Sequence, residues 1–499
     1  MKKRLLVLSF ALLLPLAAVA EEATPPMNIV LILADDMGHG DVGYHGVKDI
    51  LTPSIDRIAR EGVHFTQGYV TASVCAPSRC GLLTGAYQQR FGAAENPSAT
   101  VPRSTGVGDD TEFTTLGLPV SQPILAEMLK KRGYTTCIVG KWHLGAHKTM
   151  RPNARGFDFF YGFLNGAHSY TEWTDQFVKQ KARWPIFRNE KREAPRKDVY
   201  LTDLFSDEAV GFIDRSAAKK APFFLYLSYN AIHAPWQVPG GYLERTKGLG
   251  DSENRDFIAA MTLAMDDGVG RVYQALEKHG VLDNTILIFL SDNGTPRGQG
   301  LRPSKDSRTW ERIPEKGYMS SPGPLRGPKG DTYEGGIRVP FCIRWPGKVK
   351  PGSRYELPVS ALDIVPTLVP GTACDGVNLL PYLSGEKTGR PHGTLYWRRD
   401  NDYAIRRGDW KLTWNDASGG ANVMLFNRAD DPGEFRDLAA SFPKRAQKMQ
   451  DLFDAWDKDH PDHVLWGGPW NRQRHRGGPL DVSKFNAKKD KGNIHRKIR

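Results

Sequence analysis

Residues 28–36 read "NIVLILADD": an unbroken apolar run, partly β-branched, that ends on two carboxylates instead of an ordinary turn. Three further runs behave the same way. "CIVGKWHLG" (137–145) closes with Lys141 and His143, "FFLYLSYNAIHAP" (223–235) with His233, and "TILIFLSDNG" (285–294) with Asp292 and Asn293. Such runs have strand length and strand composition, and their continuous apolar character fits strands buried on both faces, as in parallel sheets. Between them lie helical stretches. "TPSIDRIAREGV" (52–63) places a Thr cap before Pro53, and "AAMTLAMDDGVGRVYQALEKHG" (259–280) carries an apolar stripe and a terminal glycine. The alternation predicts an α/β fold, a large mainly parallel sheet sandwiched by helices. Ligands of such sheets bind outside the carboxyl ends of the strands, so the four polar termini are expected to converge on one rim.

Beyond about Pro351 the pattern changes. "ALDIVPTLV" (361–369) reads as a last packing helix, "TLYWRRDNDYAIRRGDWKLTW" (394–414) alternates like strands, and "PKRAQKMQDLFDAWDKD" (443–459) sets Met449, Leu452, Phe453 and Trp456 on one helical face. A small C-terminal antiparallel sheet plus helix is expected over 373–460, after a main α/β unit over 21–372. The segment from Gly294 to Pro324, rich in Arg, Pro, Ser and Gly, reads as a long surface loop.

At 499 residues, 40% hydrophobic and 25% charged, the chain has the make-up of a folded globular protein, not a disordered or membrane-embedded one. Residues 1–20, "MKKRLLVLSFALLLPLAAVA", combine a basic start, an apolar stretch and a small-residue Ala-Val-Ala end, the pattern of a secretory signal peptide. The stretch is shorter than the roughly 20 residues a spanning helix needs, so no membrane span is expected after cleavage. Export to the periplasm or the exterior is expected. The formal net charge is +12, but residues 461–499 hold ten basic residues against Asp462, Asp481 and Asp490, leaving the body nearly neutral. Such a basic extension either attracts polyanions or is simply solvated. No nucleic-acid module is apparent, and no nucleic-acid partner is expected. The five cysteines (Cys75, Cys80, Cys137, Cys342 and Cys374) are few for an exported chain, and their odd number leaves at least one unpaired.

Asp35, Asp36, Asp292 and Asn293 are hard oxygen donors at the ends of two strands and suit calcium or magnesium better than zinc. An Asp pair alone is more often a turn or helix cap; a second Asp-Asn pair at another strand end favours a metal. Arg79, Lys141, His143, His233 and Lys329, the last in "PLRGPKGDTYEGGIRVP" (324–340), supply positive groups. Gathered around a cation, they would form a pocket for a transferring anionic group, and the substrate would be an anionic ester.

Cys75 opens "CAPSRCGLLTG" (75–85), and taken alone it could be a small buried residue or half of a bridge with Cys80. The stretch resembles the signature of the type I, formylglycine-dependent sulfatases of the alkaline-phosphatase-like superfamily. "ADDMG" (34–38), "GKWHLG" (140–145), "IHAPW" (232–236), "SDNG" (291–294) and "LRGPKG" (325–330) follow that family's order, so the resemblance spans roughly residues 27–370. It implies that a maturation enzyme reads Cys75-x-Pro77-x-Arg79 before folding is complete and converts Cys75 to formylglycine (3-oxoalanine). It further implies one calcium ion bound by Asp35, Asp36, residue 75, Asp292 and Asn293. In the implied reaction a hydroxyl of the hydrated aldehyde attacks sulfur and the second hydroxyl later expels sulfate. Arg79 would hold the modified side chain and His143 would orient a diol proton. Lys141 would bind sulfate oxygens, and His233 and Lys329 would stand at the leaving oxygen.

In "GFDFFYGFLNGAHSY" (156–170), also similar to the family, His168 is a candidate substrate contact. Trp173, Trp236, Trp466 and Trp470 could stack on sugar faces or serve as packing. Export, the basic extension and the implied site together suggest a sulfated carbohydrate. Two rivals are a phosphodiesterase or phosphonate hydrolase of the same superfamily, and a calcium-containing carbohydrate-binding relative whose Cys75 is never modified. The chain departs from the family pattern at Cys80, where a small residue is common, and at Pro328, where glycine is. A Cys75–Cys80 bridge would block maturation.

Overall fold

The computed structural model describes residues 26–461 apart from 94, 97–116, 172–184, 195, 197–198, 220, 297–299, 304–309, 314–319, 400 and 416–421. The expected signal peptide, Trp173, Trp466, Trp470 and all but the first residue of the basic extension lie outside the described residues.

Among the described residues ten strands form the main sheet: β1 (Asn28–Ala34), β2 (Val63–Phe65), β3 (Thr135–Lys141), β4 (Phe159–Phe163), β5 (Phe187–Arg188), β6 (Lys191–Arg192), β7 (Phe223–Ser228), β8 (Thr285–Ser291), β9 (Phe341–Arg344) and β10 (Ser353–Tyr355). Their order across the sheet is β10-β2-β9-β8-β1-β7-β3-β4-β5-β6. The middle five, β8-β1-β7-β3-β4, are mutually parallel, and antiparallel pairings appear on both flanks. All four apolar runs singled out in the sequence are among these five. Register sets Ala34 beside Ser291, and Leu33 and Gly140 both beside Ser228, so the polar residues that follow leave the sheet at one level.

Alternate residues of β1 face two separate cores. Val30, Ile32 and Ala34 pack with α3 (Leu201–Ala217) and α4 (Glu253–Lys278). Ile29, Leu31 and Leu33 pack on the other side with α2 (Cys75–Thr84), Leu125 and Leu129. Burial on both faces explains why the run is apolar throughout.

The C-terminal region forms the expected small antiparallel sheet, with four strands among the described residues: β11 (Thr394–Arg399), β12 (Asp402–Arg407), β13 (Trp410–Asn415) and β14 (Asn422–Asn427). One face packs on α5 (Pro443–Asp457) through Ile405, Leu412, Met449 and Phe453, and Leu395, Trp397 and Ala404 join the second core of the main body. Within the expected surface loop, Gly300–Pro303 and Trp310–Ile313 pair as a short hairpin. Trp236 is 5% exposed and donates Nε1–H to the Ile232 carbonyl at 3.1 Å, so it is packing, not a platform for sugars. All five cysteines are free thiols, Cys75 and Cys80 among them.

Candidate active site

Asp35 and Asp36 continue β1 past its last ladder pair. The Asp35 backbone exchanges hydrogen bonds with the β7 loop, its N–H going to Ala231 O and its carbonyl accepting from Ile232 N, both at 2.8 Å. That exchange fixes the loop carrying His233. Asp36 has φ 66° and His143 φ 60°; they are two of four described non-glycine residues with a left-handed backbone, which costs about 1–2 kcal/mol each in the absence of compensation. The packing that holds His143 there includes Gly166, where an added Cβ would lie 2.8 Å from the imidazole.

Cys75 is the first residue of α2, which is buried along its whole length. Asn96 Oδ1 accepts the Ala76 N–H at 2.9 Å, and Gly81 lets the helix lie against Thr71, whose Oγ1 would be 2.3 Å from an added Cβ. The Cys75 thiol lies 3.6 Å from Asp35 Oδ1, 4.0 Å from Asp36 Oδ1 and 3.2 Å from Lys329 Nζ. Lys329 Nζ also donates to Asp36 Oδ1 at 2.6 Å, and its own N–H is tied to Thr295 O at 2.6 Å. Lys141 Nζ meets Asp35 Oδ2 at 2.5 Å with both side chains fully buried.

Arg79 projects from the next turn of α2. Its Nε and Nη2 reach Asp292 Oδ2 at 2.9 and 2.8 Å, and its Nη1 reaches Ser228 Oγ and the Lys141 carbonyl at 2.6 and 3.1 Å. In these contacts the guanidinium holds Asp292, Ser228 and the Lys141 carbonyl. Asn293 Nδ2 donates to Asp36 Oδ1 at 2.7 Å, and His233 Nε2 is 3.7 Å from Asp36 Oδ2. His168 lies on the loop after β4, its ring 5.3 Å from Phe163 and its Nδ1 2.7 Å from Ser169 O.

Three buried carboxylates therefore meet two buried cations, Arg79 and Lys141, and the part-buried Lys329, and the protonation pattern follows. Burial pushes Asp35 up, but Lys141, His233, Arg79 and Lys329 outweigh it and hold the carboxyl below the usual range. Burial and then Asp35 push Asp292 up to about 6. Burial pushes the Cys75 thiol up to about 12 against the pull of Lys141 and Lys329, so the side chain is a thiol and a poor nucleophile as it stands. Burial lowers both His143 and His233.

A cation fits this donor set. Ligating atoms of Asp35, Asp36, Cys75 and His233 lie within 4.8 Å of one another. Beside them the buried Asn293 Oδ1 has no hydrogen-bond partner among the described residues. Sequence reasoning missed Ser228 and Asn96, which fix Arg79 and the start of α2. Ser228, the polar end of an apolar run, was visible in principle; Asn96 carries no local signal.

A sequence model of the family described as Sulfatase matches residues 27–372, a span that includes every member of this cluster. The chain belongs to the sulfatase family. As a sulfatase it is a sulfuric ester hydrolase of the alkaline-phosphatase-like superfamily. It is 34% identical to human N-acetylgalactosamine-6-sulfatase over 461 residues, covering 83% of this chain and 82% of that one. With mouse steryl-sulfatase it shares 29% identity, covering 96% of this chain and 90% of that one. Among solved structures the sulfatase superposes on Ps i-CgsB with a TM-score of 0.76 and 34% identity, over 88% of this chain and 94% of that one. The same protein has been crystallised with k-i-k-neocarrahexaose, with a TM-score of 0.76, 33% identity and coverage of 89% and 95%. No helix among the described residues is long and apolar enough to cross a membrane.

Proposed function

We propose that this sulfatase is exported and removes sulfate esters from a sulfated carbohydrate, using formylglycine made from Cys75 and one calcium ion. The observation that carries the reading is the seat of Cys75: at the start of α2, against Asp35 and Asp36, with an ammonium group at 3.2 Å. The carbohydrate class is supported by the name of the human relative and by the oligosaccharide crystallised with Ps i-CgsB.

Asp35, Asp36, Asp292 and Asn293, with residue 75, would hold the ion, and calcium's 6–8 oxygens leave positions for the substrate. The modified side chain supplies a hydroxyl nucleophile, and the cation supplies charge that acidifies that hydroxyl and steadies the sulfate oxygens. The protein's own groups do the rest. Lys141 and Lys329 present ammonium groups where negative charge develops on the sulfuryl oxygens. Because Ala234 O can only accept, the 2.5 Å contact fixes the proton of His233 on Nδ1 and leaves Nε2 to take or pass a proton toward the leaving oxygen. The buried Nδ1 of His143, which has no hydrogen-bond partner among the described residues, is suited to orient a proton of the nucleophile. Arg79 keeps Asp292 ionised and aimed. His168, on the loop that backs His143, would contact substrate.

The test pairs mass spectrometry of the Cys75 peptide from the native host with turnover of an aryl sulfate, a phosphate diester and defined sulfated oligosaccharides. We expect an aldehyde at residue 75, a preference for sulfate, and sulfate release from at least one oligosaccharide. An unmodified thiol would support a binding role instead, and a preference for the diester would support a phosphodiesterase or phosphonate hydrolase.

A further inference from the structure

Away from the rim that carries Cys75, a cavity of about 630 Å3 lies between the four-stranded sheet and α5. Arg407 and Trp410 line it from the sheet, and Lys444, Arg445 and Lys448 from the helix; among the described residues no carboxylate lines it. Arg445 lies over the Trp410 indole at 4.2 Å. Arg407, Lys444 and Lys448 are exposed, and none has a carboxylate partner among the described residues. Asp409, the nearest acid along the chain, is occupied by Arg390 at 2.8 Å. At Gly393, also in the lining, an added Cβ would meet nothing within 4 Å, so this wall is open space.

The cations are placed at some cost to the helix. Lys444, Arg445 and Lys448 occupy the first two turns of α5, whose first turn holds no acid, while Asp451, Asp454 and Asp457 follow toward its other end. That order opposes the helix dipole, which favours acids first and bases last. The Trp410 ring compensates Arg445, but Lys444 and Lys448 have no carboxylate partner among the described residues, and a local rule broken without compensation points to a role outside the protein. The body is nearly neutral, so the cluster is local and not a general excess of base.

We propose that this groove is a second binding site, which holds a sulfated stretch of the same carbohydrate chain whose ester is cleaved at the rim. The proposal rests on the carbohydrate reading above. Cations recognise sulfate groups, and here the Trp410 ring holds Arg445 in place. The position suits one continuous chain. Arg399, paired with Asp402 at one end of the sheet, donates to the carbonyl of Gly330 beside Lys329, whereas Arg407 ends β12 five residues on, roughly 17 Å away by strand rise. A polymer anchored there would stay near the rim between cleavage events, raising its effective concentration.

The test uses the full chain, so that the basic extension is common to all samples. Arg407→Glu/Lys448→Glu reverses two charges. Gly393→Glu independently adds a carboxylate to the open wall at a position free of left-handed backbone strain. Affinity electrophoresis in carrageenan, chondroitin sulfate, desulfated carrageenan and polyadenylate measures binding, and aryl sulfate turnover reports on the rim. We expect the parent to bind at least one sulfated polysaccharide and not the desulfated chain, both variants to bind about tenfold more weakly, and aryl sulfate turnover to stay unchanged. Equal binding by parent and variants, equal retardation by the desulfated polymer, no binding by the parent, or a preference for polyadenylate would overturn the proposal. A parent that releases no sulfate from carbohydrate, yet binds sulfated polymer in a way the variants lose, would leave the groove standing and remove the carbohydrate-hydrolase reading.

Discussion

Asn293 donates through Nδ2 to Asp36 Oδ1 and to the Gly294 carbonyl, at 2.7 and 2.9 Å, while its Oδ1 is buried with no partner among the described residues. A buried amide oxygen without a donor is costly, and a cation is the partner that the neighbouring carboxylates also call for. Replacing Asn293 with Leu keeps the bulk and removes the oxygen. Calorimetric titration of calcium into chelator-stripped protein should show affinity weakened about tenfold or more in the variant. Unchanged calcium affinity would mean that Oδ1 is not a ligand. The measurement is independent of turnover, so it separates metal binding from the state of residue 75.

Helix α1 (Pro53–Arg60) is held at its start by a partner distant in sequence. Thr52, expected to cap it, makes no such bond: its hydroxyl donates to Asp56 Oδ1 and accepts from the Gly43 N–H. The N–H groups of Ser54 and Ile55 go instead to the carboxylate of Asp266 on α4, at 3.0 and 2.8 Å. Burial pushes Asp266 up from its ordinary 3.8 to about 7 despite those bonds. The folded chain therefore holds a proton that the unfolded chain loses between these values, so stability falls as pH rises through the interval and is level above it. Relative to Asp266→Asn, which does not titrate there, the parent should lose on the order of 4 kcal/mol between pH 4 and pH 7 in urea unfolding; a difference that does not change with pH would show that the carboxylate is ionised throughout. Elements of this kind mark the limit of what the sequence reveals. The four strand runs and their polar ends were legible because continuous burial makes continuous apolarity, and the rim follows from parallel register. The cap from Asp266, the packing role of Trp236 and the pairing of 300–303 with 310–313 depend on residues brought together only by the fold, and local pattern does not encode them.

Across the whole molecule, the small sheet is built into the main body and reaches the loop that aims Lys329. Trp397 Nε1 donates to Val70 O at 2.7 Å, and Arg399 to Gly330 O at 2.8 Å. Between the two parts lies a buried ion network. Lys411 Nζ on β13 contacts Glu334 Oε1 at 3.1 Å and Glu434 Oε1 at 2.8 Å, and Glu334 Oε2 also takes Arg428 Nη2 at 2.6 Å and the Tyr69 hydroxyl at 2.7 Å. Glu434 Oε2 accepts the Glu334 N–H at 2.7 Å, which pins the segment following Lys329 to the loop after β14. Lys411, Glu334 and Glu434 are each completely buried. Removing one member strands charge in a low-dielectric interior, so Lys411→Met should cost about 3–5 kcal/mol. Lys411→Met/Glu434→Gln removes the uncompensated charge as well and should recover much of that loss. If the network aims Lys329, turnover should fall in the single variant even where it remains folded, with KM nearly unchanged, and should return with the double. A double variant whose losses simply add, or a single variant that unfolds in two separate transitions while the rim keeps full turnover, would show that the sheet and the catalytic rim are mechanically independent.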